Sequence, residues 1–549
     1  MIKRSLLATS IAIALAQQAS AAPLLPIDAR GMAMGNTGVA SAKLAHAPQY
    51  NPALLSTANQ EDDFAIIFPQ VGIVAADEEE MIDAFEALTD DEYSGSTSGD
   101  SIIDHFEGIT DNLDNILTSG PNSIEQQLEA LEILISNVPN NGGDDSTTSA
   151  DLTLATNDLN NSTTQLNGQT QDLQSTTFDL TSQLGEISGR TIRGNLGVNG
   201  AIAIPSKTFA AAVSVSGTAY FSGRMTFADS DQSLFNGYAE ALNSYASKTQ
   251  EYTQATTELA QATAALEACA PTCLGGEQTA VNTAKNDVEA KQTALKNFEY
   301  EKDGRTILSS DGTTGEITLN DDDLTSNVHI VGVGITEVGL TFSREFEIAG
   351  EKIAIGITPK LQTIKTYNYV ARVEEEDIEA DDIKDTEQDF SDFNVDLGAA
   401  YQFGANNQWQ AGIVAKNLLS KEYEAESNPD AVTGETTTTK INLDTQFRAG
   451  ISHTTEWTVV AFDLDLMEND PIAFEEPTQY ASLGAELDIF DTVQLRAGYR
   501  TNLSTSDASV ASIGLGFSPF GVHLDIAAMA NPSSVEKEAG VAMELGFYF

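Results

Sequence analysis

The chain has few basic side chains and, beyond its first residues, no long apolar run. Against 82 Asp and Glu there are 27 Lys and Arg, which gives a net charge of −55. Such an acidic surface repels phosphate backbones, so the composition argues against a nucleic-acid partner. After residue 21 no run approaches the roughly 20 apolar residues that a membrane helix needs. A mature chain that crosses a membrane is therefore expected to cross it as a closed β-barrel, the other structure that satisfies its backbone in lipid.

Cysteine and catalytic motifs are also scarce. The only two cysteines, Cys269 and Cys273, flank a proline turn, and an even pair in an exported chain predicts a disulfide. Their spacing is not the Cys-x-x-Cys of thiol redox proteins. None of the five histidines lies in a recognisable Ser–His motif or among metal ligands at a typical spacing. The sequence thus predicts no metal, no cofactor and no enzymatic activity.

The amino terminus predicts export. Lys3 and Arg4 precede an apolar run that ends near Ala16, and an Ala-Ser-Ala cleavage pattern follows at residues 19–21. This is the pattern of a secretory signal peptide over residues 1–21. We expect the mature protein to lie in the periplasm, in the outer membrane or outside a Gram-negative cell.

The last ten residues alternate strictly between two faces. One face carries Val541, Met543, Leu545, Phe547 and Phe549, and the other carries Ala542, Glu544, Gly546 and Tyr548. A period of two predicts a strand, and a charged residue opposite a wholly apolar face favours lipid on one side and a wet lumen on the other. The stretch resembles the closing strand of bacterial outer-membrane barrels, which the barrel-assembly machinery reads. The alternative is a soluble edge strand.

Similar alternation recurs about fourteen times, and the connections between the segments sort by parity. The segments lie near 63–76, 191–204, 207–223, 327–346, 352–372, 389–404, 407–420, 440–453, 456–467, 478–489, 492–502, 508–518, 521–529 and 540–549. Connections after even-numbered segments are short and those after odd-numbered ones are mostly long, which is the outer-membrane arrangement with the short side periplasmic. The sequence predicts an all-β transmembrane barrel of about fourteen antiparallel strands within residues 61–549.

Two long insertions, 77–190 and 224–326, have a helical pattern. In the first, Leu recurs every seven residues from Leu152 to Leu180, with Thr four positions after each of the first four. That spacing predicts a coiled-coil-like seam. In the second, Tyr238, Tyr245 and Tyr252 begin a similar series that returns after the cysteine tip, so a helical hairpin is expected. The alternative is a solvated low-complexity loop.

The segment after the signal peptide carries a family resemblance. It reads Ala29-Arg30-Gly31-Met-Ala-Met-Gly35, followed by Tyr50-Asn51-Pro52-Ala53. This pattern resembles the amino-terminal hatch of the FadL-like outer-membrane transporters, and the fuller string from Asp28 to Pro69 resembles their conjugal transfer protein TraF branch. The resemblance implies a hatch over residues 22–60 that plugs the barrel, with Arg30, Gly31, Gly35, Asn51, Pro52 and Ala53 as its signature.

Two functions follow as expectations. The resemblance implies passage of a hydrophobic small molecule through the outer membrane past the hatch. The alternative is a cell-surface interaction protein, related to conjugation, in which the barrel anchors extracellular helical loops. An apolar groove between loops and hatch would favour the first, and exposed apolar helix seams the second. Partners are accordingly membrane lipid, the assembly machinery, and either a hydrophobic ligand or a surface partner.

Overall fold

A computed structural model gives the fold of the chain. It describes residues 25–57, 63–89, 92–96, 99–138, 147–269, 272–273, 275–310, 317–319, 324–348, 350–372, 380–429, 436–437, 439–470, 474–505 and 508–548. The predicted signal peptide and Phe549 lie outside the described residues. Within the described part the chain divides into two compact units, a barrel with its hatch and a helical unit formed by the two insertions.

Fourteen antiparallel strands form a closed barrel, which confirms the predicted fold class. The strands are Ala65–Ala76 (β1), Thr191–Ile204 (β2), Ala210–Thr226 (β3), Asn327–Ile348 (β4), Glu351–Arg372 (β5), Gln388–Phe403 (β6), Trp409–Lys416 (β7), Gln446–Thr454 (β8), Thr458–Asp465 (β9), Tyr480–Ile489 (β10), Val493–Asn502 (β11), Ser509–Phe517 (β12), Val522–Ala530 (β13) and Ala539–Tyr548 (β14). β14 closes the wall by pairing with β1, Ala65 opposite Tyr548 and Val71 opposite Met543.

Side chains that alternate along the strands point alternately to the outer and the inner surface of the barrel wall. Outward side chains such as Leu483, Ile513 and Met543 are apolar and about half exposed, whereas inward ones such as Ser482, Ser512 and Glu544 are buried. A soluble sandwich would bury its apolar face. The exposed apolar outer surface is therefore the lipid-facing wall of a membrane barrel.

Connections alternate in length as predicted, with short turns after even-numbered strands. Two predicted segments were too long, however. β7 ends at Lys416 because Asn417 has a positive φ of 54°, and the residues beyond it form a separate hairpin, in which Lys421–Glu424 pairs with Lys440–Leu443. The barrel strand β8 begins only at Gln446. Five further short strands in the described part of the chain, in two small sheets, were also not predicted. One sheet contains Glu299–Lys302, Arg305–Ser310 and Ile317–Leu319, and the other contains Asn428–Pro429 and Thr436–Thr437.

The hatch, described over residues 25–57, consists of short helical turns. Its elements are helix α1 (Ala29–Ala33), a 3-10 turn at Leu44–His46, helix α2 (Ala47–Tyr50) and a 3-10 turn at Pro52–Ser56. Asn51 caps the last turn by accepting a hydrogen bond from the Ala53 N–H, and Pro52 takes the first helical position. Almost every hatch residue is buried.

The helical unit contains α3 (Met81–Thr89), α4 (Ile102–Asp114, continued by a π turn at Asn115–Ser119), α5 (Ile124–Ser136), α6 (Ser149–Ile187), α7 (Asp229–Cys269) and α8 (Gly276–Lys296). A last short helix, α9 (Ala380–Asp385), belongs to the barrel unit, as do 3-10 turns at Ala405–Asn407 and Pro519–Gly521. No helix in the described part of the chain is long and apolar enough to span a membrane.

The heptad seam of α6 is buried in the core of the helical unit. Leu152, Leu159 and Leu166 pack with α7 residues such as Tyr245 and Tyr252, and the Thr163 and Thr253 hydroxyls are 3.2 Å apart. The two insertions thus share one hydrophobic core. The threonine-rich seam of α6, which would pack weakly alone, is packed in this core against α7.

Candidate functional site

The candidate site is the buried interface between the hatch and the inner barrel wall. Its centre is Tyr50, whose hydroxyl donates to Asp28 Oδ2 at 2.6 Å. Asp28 caps α1 by accepting from the Gly31 N–H at 2.6 Å. A Cβ on Gly31 or on Gly38 would overlap the Tyr50 side chain. The glycines of the signature segment therefore let the hatch fold closely around one tyrosine.

Glycines on the wall face backbone and side-chain atoms of the hatch. A Cβ on any of these would overlap a hatch atom: Gly72, Gly197, Gly356, Gly398, Gly412, Gly484, Gly498 and Gly514. They come from eight strands, β1, β2, β5, β6, β7, β10, β11 and β12, so the hatch is fitted to the wall around most of the barrel. The sequence interpretation placed such positions in a wet lumen. At the level of the hatch that expectation is wrong, because the hatch displaces water from them.

Gly35 and Asn51, two of the signature residues, contact the wall through the hatch backbone or a side-chain amide. Gly35 has a positive φ of 66° and lies against the Tyr499 backbone, where a Cβ would come within 2.8 Å of the Tyr499 oxygen. Its N–H donates to Ser512 Oγ at 3.1 Å. Asn51 Nδ2 donates to the Val39 oxygen within the hatch and to the Ala399 oxygen of β6. Both residues therefore position the hatch as well as shape it.

A buried ion-pair network joins α1 to the wall. Arg30 Nε lies 3.0 Å from Glu486 Oε2 of β10, and Arg496 Nε of β11 lies 2.6 Å from the same oxygen. Arg496 also pairs with Asp525 of β13. Lys43, less buried than the others, approaches Glu486 at 3.9 Å. Removing one member of such a network leaves buried charge uncompensated, which costs about 3–5 kcal/mol.

A second cluster joins the hatch to the closing strand. His46 Nε2 is 3.1 Å from Glu544 Oε1 of β14 and 3.6 Å from Asp28 Oδ1. The other Glu544 oxygen accepts from Gln70 Nε2 of β1 at 3.0 Å. This cluster therefore spans the seam where the barrel closes. Its ligand-type atoms lie within 4.8 Å of one another and all three residues are buried.

Burial perturbs the hatch members of this cluster. Burial raises the pKa of Asp28, although His46 and the Tyr50 and Gly31 donors oppose the shift. Burial acts to lower the pKa of His46, but the Glu544 and Asp28 carboxylates outweigh it and the net shift is upward from 6.5. Burial, reinforced by Asp28, raises the pKa of Tyr50 well above its ordinary value. Contact with the two carboxylates therefore favours the imidazolium form of His46.

The wall also binds the hatch backbone through Asp463 of β9. One oxygen of this carboxylate accepts from the Gly38 and Val39 N–H groups at 2.7 and 2.9 Å. Nearby, Arg448 pairs with Asp465 through two hydrogen bonds of 2.5 and 3.0 Å. Specific polar contacts thus hold the hatch to the wall in addition to two apolar clusters.

Two cavities share part of the barrel wall, and the hatch bounds one of them. The lumenal cavity, about 120 Å³, is bounded by the hatch at Ile27 and Gln49 and by charged wall residues such as Lys360 and Lys416. The wall pocket, about 680 Å³, is almost wholly apolar and is lined by Phe68, Val198, Ile202, Val213, Val215 and neighbouring residues of β1–β4. Asn199, Val215 and Ser216 line both cavities.

The remaining predicted residues lie apart from this interface. Cys269 and Cys273 are joined in a disulfide at the end of α7. In the closing strand, Leu545 pairs with Leu524 and Phe547 with both Val522 and Ile66. The sequence interpretation treated His46 as an isolated histidine and Glu544 as a lumenal charge. Only the closure of β14 on β1 above the hatch brings them together, and no spacing in the sequence encodes that contact.

Comparisons with known proteins give a family and a set of structural neighbours. The TodX toluene transporter of P. putida aligns over 96% of this chain and 99% of its own, with 10% identity and a TM-score of 0.39. The Ralstonia pickettii toluene transporter TbuX covers 96% and 99%, with 8% identity and a TM-score of 0.40. A Pseudomonas aeruginosa FadL homologue covers 97% and 99%, with 10% identity and a TM-score of 0.38.

No curated protein matches the sequence. The sequence does match the family described as the TraF protein of the F plasmid transfer operon, over residues 48–465. That span runs from α2 of the hatch to the end of β9 and is most of the chain. The chain, which forms a closed β-barrel, therefore belongs to the TraF family of the F plasmid transfer operon.

Proposed function

We propose that the protein passes hydrophobic small molecules across the outer membrane, with the hatch as the element that controls the path. The observation that carries the proposal is the pair of cavities that share one part of the wall, the lumenal one beside the hatch and the other among lipid-facing side chains. The lumenal cavity and the wall pocket share three lining residues, Asn199, Val215 and Ser216. A thin partition at β2 and β3 therefore separates the lumen from an apolar pocket among lipid-facing side chains.

The partition lies beside an irregularity in the pairing of β1 with β2. The pairing of β1 with β2 shifts between Ile67 and Gln70, so two β1 residues have no partner there. Such bulges twist and weaken a sheet locally. Asn199 also donates to the Ile27 oxygen of the hatch at 3.2 Å. A displacement of the hatch near Ile27 would therefore act directly on the partition.

The lumenal cavity is charged and is not the kind of apolar groove that would favour uptake. Glu337, Lys360, Asp396 and Lys416 contribute to its lining, and Lys360 pairs with both carboxylates. A hydrophobic molecule would gain little from staying there. The apolar wall pocket offers it a better environment, since transfer of apolar surface out of water is favourable.

Filling the wall pocket tests the proposal. Gly217 faces outward into the pocket, and a Cβ there meets no atom within 4 Å. Gly217→Trp should therefore occupy the pocket without strain. Cells that express the protein are given Nile red outside, and the rise of its fluorescence is followed.

The matched control, Ala497→Trp, adds the same ring to the outer face of β11, away from the pocket. We expect dye entry in cells with the wild-type protein and with the control, and entry at the background rate with Gly217→Trp. Equal entry for all three proteins at equal amounts in the membrane would contradict the proposal.

The alternative, a surface interaction protein, has less support. It required exposed apolar seams on the helices, and the α6 seam is buried in the core of the helical unit. Scattered apolar residues such as Leu154 and Phe178 are exposed on α6, but isolated exposed apolar residues are common on protein surfaces.

A further inference from the structure

We propose that Asp28, His46 and Glu544 form a binding site for a divalent metal ion of the zinc class, which fastens the hatch to the closing strand. The three residues come from separate parts of the chain, the α1 cap, the Leu44–His46 turn and β14. All are buried, with at most 2% of their surface exposed. One imidazole and two carboxylates are ligands that zinc accepts. This inference does not rest on the passage of any ligand.

The distances suit a metal. Zinc binds nitrogen and oxygen at about 2.0–2.2 Å, so neighbouring ligand atoms of a tetrahedral site lie about 3.3–3.6 Å apart. His46 Nε2 is 3.1 Å from Glu544 Oε1 and 3.6 Å from Asp28 Oδ1. The three ligand atoms all lie within 4.8 Å of one another. Small side-chain movements would complete the coordination.

A hydrogen-bond donor holds one oxygen of each carboxylate. The Tyr50 hydroxyl holds Asp28 Oδ2 at 2.6 Å, and Gln70 Nε2 holds Glu544 Oε2 at 3.0 Å. Asp28 Oδ1, which also accepts from the Gly31 N–H at 2.6 Å, lies 3.6 Å from His46 Nε2. The two Glu544 oxygens lie 3.1 and 3.2 Å from the same nitrogen. Fixing ligands through outer hydrogen bonds of this kind is typical of metal sites.

The charges around the cluster also favour a dication. Four buried carboxylates face two buried guanidiniums: Asp28, Glu486, Asp525 and Glu544 against Arg30 and Arg496. Lys43 is the next cation, but its side chain is 30% exposed. A proton on His46 compensates one of the two excess negative charges, whereas a divalent ion beside a neutral imidazole compensates both. Uncompensated buried charge is costly.

The test begins with the wild-type protein, folded in detergent and without a histidine tag. After treatment with EDTA and removal of the chelator, it is titrated with zinc and its bound metal is measured. We expect one tightly bound zinc per chain, with an X-ray absorption spectrum that contains one imidazole and otherwise oxygen ligands at about 2.0–2.2 Å. This measurement needs no variant. A folded protein that retains no zinc, or a spectrum without imidazole, overturns the proposal.

Variants then locate the ion. His46→Gln and Glu544→Gln should each lower zinc retention at least tenfold, in line with the loss of a direct ligand. The matched control is His453→Gln on β8, outside the cluster, where the His453 ring makes a tilted contact with the Trp409 ring. This variant should retain one zinc. The shift of each protein on a gel after heating shows whether it is folded. Folded variants that keep the zinc would assign it to the acidic surface and overturn the proposal.

Discussion

At the scale of single residues, the hatch depends on the absence of side chains at a few positions. Gly31 and Gly38 leave room for the Tyr50 ring, and the wall glycines leave room for the hatch backbone. Close packing of this kind means that one added methyl group must displace a neighbour. We expect an added methyl group to disturb the contact between Tyr50 and Asp28 most strongly.

Gly31→Ala should therefore destabilise the folded protein. The new Cβ would overlap the Tyr50 hydroxyl, and the hydrogen bond to Asp28 would be lost. Overpacking and a lost buried hydrogen bond each cost about 1–3 kcal/mol. The temperature at which the barrel loses its heat-shifted form on a gel should fall accordingly.

Gly217→Ala is the control for this prediction, because a Cβ at Gly217 meets nothing within 4 Å. It should melt like the wild-type protein. A Gly31→Ala protein as stable as this control would mean that the Tyr50 contact is not needed.

His46 makes the hatch contact sensitive to pH. The folded-state pKa of His46 is raised above 6.5, so its stabilising contribution is complete below that pH and is lost as pH rises through the folded value. The raised pKa of Asp28 acts in the same direction. In EDTA, the melting temperature should be lower at about pH 9 than at about pH 6.

The His46→Gln variant isolates this effect. It should show a smaller difference between the two pH values, while His453→Gln should keep the full difference. An unchanged difference in His46→Gln would assign the pH dependence to other groups.

At the scale of elements, the strands were predictable and their contacts with the hatch were not. Period-two alternation located all fourteen strands, because lipid and hatch impose opposite demands on successive residues. Prediction failed where the pattern ran past a turn, as at Asn417, whose positive φ ends β7. The sequence pattern also did not reveal the partners of Arg30 and His46, because these partners lie 456 and 498 residues further along the chain.

The helical unit provides a prediction of its own. Leu166 of α6 is fully buried in the shared core, and a buried Leu→Ala change costs about 2–5 kcal/mol. Leu166→Ala should lower the temperature at which helical circular dichroism is lost. The control, Leu154→Ala, removes a leucine that is 67% exposed and should have little effect. Equal loss in both variants would contradict the buried seam.

At the scale of the whole molecule, the position of short and long connections along the strand order predicts how the barrel is oriented in the membrane. Both insertions follow odd-numbered strands, on the side of the barrel opposite the short turns. With the short turns in the periplasm, the tip between α7 and α8 should lie outside the cell. A protease site inserted at this tip should be cut in intact cells, whereas one inserted in the β10–β11 turn should be cut only after lysis. The reverse pattern would contradict the orientation.

The central claim is that a movable hatch controls passage through a closed barrel. Ser56 of the hatch and Ser343 of β4 have hydroxyl oxygens 2.7 Å apart, a separation compatible with a disulfide after replacement by cysteine. Ser56→Cys with Ser343→Cys, in a chain that also carries Cys269→Ser and Cys273→Ser, should fasten the hatch when oxidised and free it when reduced. The single Ser343→Cys variant in the same background is the control.

The most direct measurement is the rate of Nile red entry into cells with the double-cysteine protein, before and after addition of a reductant. The account predicts entry at the background rate in the oxidised state and recovery after reduction, with no response in the single-cysteine control. Equal entry in the oxidised and reduced states, with the disulfide verified on a gel, would contradict the claim that the hatch must move.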